Sequence, residues 1–150
     1  MITGVRSITI AVKDLNQAVE NYRSLLGTEP EYGSGYEVLL AGCGLREVGL
    51  DFDDQVALFE AHGVLIILIT GSNDDSPVGR FLHKKGEGVF MVSFEADDAA
   101  KEAGRLRAAG KTVVFDRNLD GAFGSTNFIH PKDMNGVMVE LLQPAGIFKR

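Results

Sequence analysis

The chain has 150 residues, of which 45% are hydrophobic and 24% charged, and its net charge is -6. That composition fits one globular domain, and with no Lys/Arg cluster larger than a pair it argues against nucleic acid or an anionic membrane surface as partner. The longest apolar run, Val64 to Ile69, is far too short to span a bilayer. The single Cys43 excludes an internal disulfide and, set between Gly42 and Gly44 with no neighbouring His, makes no zinc motif. No basic-then-apolar leader precedes the first strand pattern, so a cytoplasmic protein is expected.

Ser7 to Val12 alternates small or polar residues with branched apolar ones, the pattern of a strand with one face packed and the other lining something open. Asp14 and Gln17 form a capping-box pattern; Leu15, Ala18, Val19, Tyr22, Leu25 and Leu26 recur at helical spacing, and Gly27 supplies the stop. From Glu31 to Asp54, Gly33, Gly35, Gly42, Gly44 and Gly49 weaken every regular pattern. A strand near the start of that segment is expected, then a short helix or a lid-like stretch that sets specificity. Gln55 to Glu60 and Val64 to Ile69 read as a hairpin turning at Ala61-His62-Gly63. A polar connector over 71–77 leads into a short helix around Val78 to Lys84 and a turn at Gly86-Glu87-Gly88.

The second half repeats the first. Val89 to Glu95 is a strand, Asp97 or Asp98 caps a helix carrying Ala99, Ala103 and Leu106, and Gly110 ends it. Lys111 to Phe115 and Asn127 to His130 read as strands joined by a loop through Gly121 and Gly124, and a turn cluster over 131–136 delivers the chain to a last strand. Ser7 to Asp14 matches Met91 to Asp98 in pattern and acidic cap, and Val64 to Ile69 matches Val137 to Leu142. The expected fold is α+β: two tandem βαβββ modules forming a cupped mixed β-sheet around one cavity, with the helices outside. Module one covers about 1–71, a connector about 72–88 and module two about 89–150, all within one domain.

In the last strand Glu140 is a lone carboxylate between Val139 and Leu141, sharing its face with Met138 and Leu142. Were that face solvated, the residue would be unremarked; were it covered, the acid would need a partner, a raised pKa or a chemical role.

These motifs resemble the vicinal oxygen chelate superfamily of glyoxalases, bleomycin-resistance proteins and extradiol dioxygenases, and within it the methylmalonyl-CoA epimerases. The resemblance is carried by Ile8 to Leu15, Tyr22 to Gly27, Asp75-Ser76-Pro77, Phe81-Leu82, Lys84 to Gly88, Ser93 to Asp98, His130-Pro131-Lys132 and Asn135 to Pro144. It implies the paired-module fold and a homodimer, and it implies four ligand positions for a divalent metal on the first and last strands of the two modules. Here those positions hold Ser7, Ile67, Met91 and Glu140. Isoleucine has no lone pair, a thioether prefers soft ions and a neutral hydroxyl is a poor ligand, so neither a metal nor any other cofactor is expected. Gln55 stands in the strand where the epimerases carry a second catalytic acid.

Strand alternation then assigns the cavity wall to Ser7, Thr9, Ile67, Ile69, Met91, Ser93, Met138, Glu140 and Leu142. The expected function is binding of a small carbonyl-containing metabolite, thioester or polyketide-like, with acid/base chemistry of an isomerase or lyase type through Glu140. Ser7, Thr9, Gln55, Ile67, Met91, Ser93, Met138 and His130 are the expected ligand contacts. A ligand-sequestering protein of the drug-resistance type is the alternative, and a metal-dependent epimerase or glyoxalase-type enzyme the third reading.

Overall fold

The computed structural model of the chain describes residues 1–33, 55–121 and 124–146. Its elements are β1 (Ile2–Ala11), α1 (Leu15–Leu26), β2 (Glu31–Tyr32), β3 (Gln55–Ala61), β4 (Val64–Thr70), α2 (Pro77–Lys85), β5 (Gly88–Ala96), α3 (Ala99–Ala108), β6 (Leu119–Gly121), β7 (Gly124–Ile129) and β8 (Met138–Pro144). The strands form one eight-stranded sheet in the order β2-β3-β4-β1-β5-β8-β7-β6. β1 pairs parallel with β4 and β5 parallel with β8, while β1 and β5 meet antiparallel at the centre. Each half is thus a βαβββ unit, and the second mirrors the strand order of the first.

The same local chemistry builds the two outer helices. Asp14 accepts a hydrogen bond from the Gln17 backbone at 3.0 Å, and Asp98 accepts one from Lys101 at 2.9 Å, so each helix begins on a carboxylate that satisfies an orphan N–H. The capping box at α1 is only half formed, because the Gln17 side chain donates to Asn21 instead of turning back to Asp14. Gly27 ends α1 at φ 68, a conformation that costs glycine nothing. α1 buries Ala18 and Val19 against Ala57, Phe59 and Leu68, whereas α3 buries Ala103 against Ile129 and Leu141. Both helices therefore cover one face of the sheet.

The opposite, inner face gathers Ala11, Val56, Ile67 and Ile69 from module one with Met91, Phe128 and Leu142 from module two into one buried cluster. α2 closes one end of it through Val78, Phe81 and Leu82. Ser76 caps α2 by accepting from the Gly79 backbone at 3.0 Å, and Phe81 meets Phe90 edge to face at 5.3 Å.

Three sequence expectations shift. Lys111 to Phe115 is not a strand but makes one isolated bridge, Val113 to Ile129. The Asn127 side chain explains it: its Oδ1 accepts from Phe115 N at 3.2 Å and its Nδ2 donates to Phe115 O at 3.0 Å, occupying the backbone groups a ladder would use. The glycine-rich loop contains the short strand β6, hairpinned onto β7, and Gly124 lies so close to Gln143 O that a Cβ would fall 1.9 Å from it. His130, expected to end a strand, lies just beyond β7 and caps a 3-10 turn over Pro131–Asp133. The strand expected just after Glu31 is β2; the helix or lid expected beyond it lies outside the described residues. Among the described residues no helix is long and apolar enough to cross a membrane.

Asn127 is fully buried and also donates to Asn118 Oδ1 at 3.0 Å. Asn127→Ala should cost about 2–4 kcal/mol in urea denaturation, since it orphans backbone groups of Phe115; a loss below ~1 kcal/mol would mean water takes their place.

Candidate functional site

Glu140 is 5% exposed, on the inner face. Its strand pairs with β5 so that Ser93 stands directly beside it, and with β7 so that Phe128 stands on the other side. Ser93 pairs in turn with Ser7, and Ser7 with Leu65. The row Leu65, Ser7, Ser93, Glu140, Phe128 thus crosses the sheet with two hydroxyls and one acid between apolar ends. The adjacent row is Leu58, Ile67, Thr9, Met91, Met138. Seven of the residues singled out in the sequence, Ser7, Thr9, Ile67, Met91, Ser93, Met138 and Glu140, occupy these two rows.

Two others lie apart. Gln55 is exposed at the start of β3, and because its neighbour Val56 packs in the inner cluster, its side chain takes the other face. His130 is exposed, its Nδ1 accepting from the Lys132 backbone at 3.1 Å in the 3-10 turn. His62 sits in the β3–β4 turn, and His83 lines an open polar cleft of about 520 Å³ with Lys13, Thr70, Ser72, Asn73 and Asp74.

Burial controls the chemistry of Glu140. Desolvation raises its pKa from the ordinary 4.5 to about 7, and the hydrogen bond that Ser93 Oγ donates to Oε1 at 3.0 Å offsets only part of that rise. Among the described residues no charged neighbour contributes to the shift. The acid therefore exchanges its proton near neutral pH, where a general acid or base is most effective. On the neighbouring row, two strands across from the acid, Thr9 is fully buried and its Oγ1 has no hydrogen-bond partner, so a donor and acceptor stands unused on the same face.

The donor set at the four positions where the resemblance implies metal ligands is a hydroxyl, an isoleucine, a thioether and one carboxyl group. Among the described residues, no group of three or more His, Cys, Asp or Glu side chains comes together to hold an ion. These residues do not fit a hard or borderline divalent cation, which wants several nitrogen or oxygen donors.

Two charged residues that the sequence reading passes over also belong to this face. Val5 pairs with Phe94 and Ser7 with Ser93, so Arg6 is the extra residue of a β-bulge. Arg6 Nη1 lies 3.6 Å from Glu95 Oε1, and their side chains are only 21% and 13% exposed. Glu95 pairs with Leu142 of the inner cluster, which fixes the side to which both reach. The one trace of this in the sequence is an arginine immediately before a strand pattern; nothing there reveals the bulge.

Ionisation of Glu140 opposes folding, and the sign follows from the raised pKa. Below about pH 4.5 the carboxyl is protonated in both folded and unfolded chains and there is no penalty; above it the unfolded chain ionises first, and the penalty grows until about pH 7 and then stays constant. It amounts to about 3 kcal/mol at the plateau. Glu140→Gln should therefore gain stability relative to the parent as pH rises from 5 to 8 in denaturant titrations; a difference that does not vary with pH would show the carboxyl to be hydrated.

The family model described as Glyoxalase/Bleomycin resistance protein/Dioxygenase superfamily matches residues 4–141. An ethylmalonyl-CoA/methylmalonyl-CoA epimerase from Cereibacter sphaeroides is 32% identical over 156 residues, covering 95% of this chain and 99% of that protein. The methylmalonyl-CoA epimerase of Mycobacterium tuberculosis superposes with a TM-score of 0.70 at 29% identity, over 97% of this chain and 91% of that one. A variant of the Streptomyces coelicolor methylmalonyl-CoA epimerase in complex with 2-nitronate-propionyl-CoA gives 0.72 at 28% identity over 100% of both chains. The bulged β1, the two parallel strand pairs and the carboxyl on β8 thus sit in a chain that belongs to the glyoxalase, bleomycin resistance protein and dioxygenase superfamily, close to its methylmalonyl-CoA epimerases.

Proposed function

We propose that the chain binds an acyl-CoA thioester with its acyl end on the inner face, and that Glu140 moves a proton at the carbon next to the thioester carbonyl without a metal ion. The observation that carries this is the buried Glu140 held by Ser93, with a pKa near the pH at which it must work. Support for the thioester comes from the CoA-linked relatives and from a solved epimerase in complex with methylmalonyl-CoA, 28% identical over 98% of both chains.

In this reading ionised Glu140 takes the α-proton, the electron pair of the C–H bond moves onto the carbonyl as an enolate, and the Thr9 hydroxyl donates a hydrogen bond to the oxygen where charge gathers. Returning the proton from Glu140 completes the cycle. A hydroxyl stabilises an enolate less than a Lewis acid does. Among the described residues, Val56, Leu58, Leu65 and Ile67 occupy the module-one wall facing it, and with these a one-base proton exchange, or an elimination that starts from the same enolate, fits better than a transfer between two acids. The cytoplasmic location and the homodimer expected from the sequence go with this reading.

The test is α-hydrogen exchange into methylmalonyl-CoA in D2O, followed by mass spectrometry. The rate should rise as pH passes about 7 and level above it, because the base must be ionised. Glu140→Gln should lose at least ~100-fold in rate with its affinity kept. EDTA should change nothing; exchange lost to the chelator and restored by a divalent ion would overturn the metal-free reading. Thioester bound tightly but recovered without deuterium would instead favour the sequestering protein.

A further inference from the structure

Arg6 is the only lysine or arginine on any described strand, although the chain carries 15 such residues in all. The β-bulge that displaces it from the ladder also turns it onto the inner face, where apolar side chains and hydroxyls otherwise prevail. An arginine placed there is costly to desolvate and needs an anion. Glu95 supplies one only loosely: 3.6 Å is beyond hydrogen-bond range, and a guanidinium can make two parallel bonds to a carboxylate when the geometry allows.

The placement relative to Glu140 is informative. Ser93 and Glu95 are successive residues on the same face of β5, and they pair with Glu140 and Leu142 on β8. Glu95 thus stands one two-residue step along the sheet and one strand across from the acid, roughly 8 Å between backbones, and Arg6 reaches it from the next strand, β1. That is near enough for one small ligand to touch both and far enough that Arg6 does not perturb the acid's pKa. A 2-carboxyacyl group has the matching shape, with its α-hydrogen at one end and a carboxylate one bond further on.

We infer that Arg6 is the anion-binding residue of the site, exchanging its loose contact with Glu95 for a bidentate grip on the free carboxylate of a 2-carboxyacyl thioester. This rests on the thioester reading above and adds to it the residue that reads the second carboxylate. The positive charge that the four substituted ligand positions cannot hold as a metal ion is supplied by the protein itself. Arg6 positions the ligand and does not take part in proton transfer. Thioesters without the second carboxylate bind the same wall but gain nothing from Arg6.

The experiment is calorimetric binding of malonyl-CoA and propionyl-CoA to the whole chain and to three variants, Arg6→Gln, Glu95→Gln and the double variant, which removes both charges and leaves neither orphaned. The parent should prefer malonyl-CoA by at least about tenfold, as a charge-assisted bidentate contact requires. Arg6→Gln and the double variant should lose that preference while keeping propionyl-CoA affinity, and Glu95→Gln should bind malonyl-CoA more tightly because the guanidinium is released. Equal binding of the two thioesters by the parent, or a preference that survives in the double variant, overturns the assignment and leaves the thioester reading standing. If the parent binds neither thioester, that reading falls. Arg6 is then judged on sodium malonate against sodium propionate: malonate binding that vanishes in Arg6→Gln sustains it, and no such binding overturns it.

Discussion

The contact on which the rest depends is the 3.0 Å hydrogen bond from Ser93 to Glu140 between two parallel strands. It joins the first strand of module two to the last, and it holds the carboxyl in one orientation inside a wall that would otherwise expel it. A lone hydroxyl is a weak counterweight to desolvation, so the acid keeps its high proton affinity. Had the partner been a lysine or a metal ion, the carboxyl would have stayed ionised well below neutral pH.

Around that contact the chain keeps the frame of its superfamily while the positions where the resemblance implies metal ligands hold Ser7, Ile67, Met91 and Glu140. The two modules still meet at β1 and β5, and matching rows of side chains still cross the sheet. Where the superfamily resemblance implies a metal, the described residues offer a single carboxyl and three weak or absent donors, and the charged residues of the inner wall stand one step away at Arg6 and Glu95. The same sheet can thus carry different chemistry on a few inward-facing positions, which is why the fold by itself does not determine the reaction.

Much of this was legible in the sequence because period-two alternation and acidic helix caps are local signals. Asp14, Asp98 and Gly27 mark helix ends by chemistry that needs no tertiary context, and the alternation in Ser7 to Val12 and Val137 to Leu142 puts Thr9 and Glu140 on one face of their strands, where both are buried. The misses are non-local. The segment 111–115 has strand-like residues, yet the side chain of Asn127 captures the backbone that would have paired. Gln55 reads as a ligand contact because the resemblance places a catalytic acid on its strand, but Val56 takes the inward position. Arg6 escaped notice because a bulge shifts the alternation by one residue, and a bulge is set by the pairing partner and not by the strand's own pattern.

A carboxyl poised near neutrality also makes occupancy of the inner wall a matter of proton traffic with the solvent. An anion docking beside Glu140 draws a proton in from bulk water, and a hydrogen-bond donor or cation drives one out, so heats of binding carry the ionisation enthalpy of the buffer. Any affinity of the inner wall and the acidity of its surroundings are thereby tied to each other through one side chain.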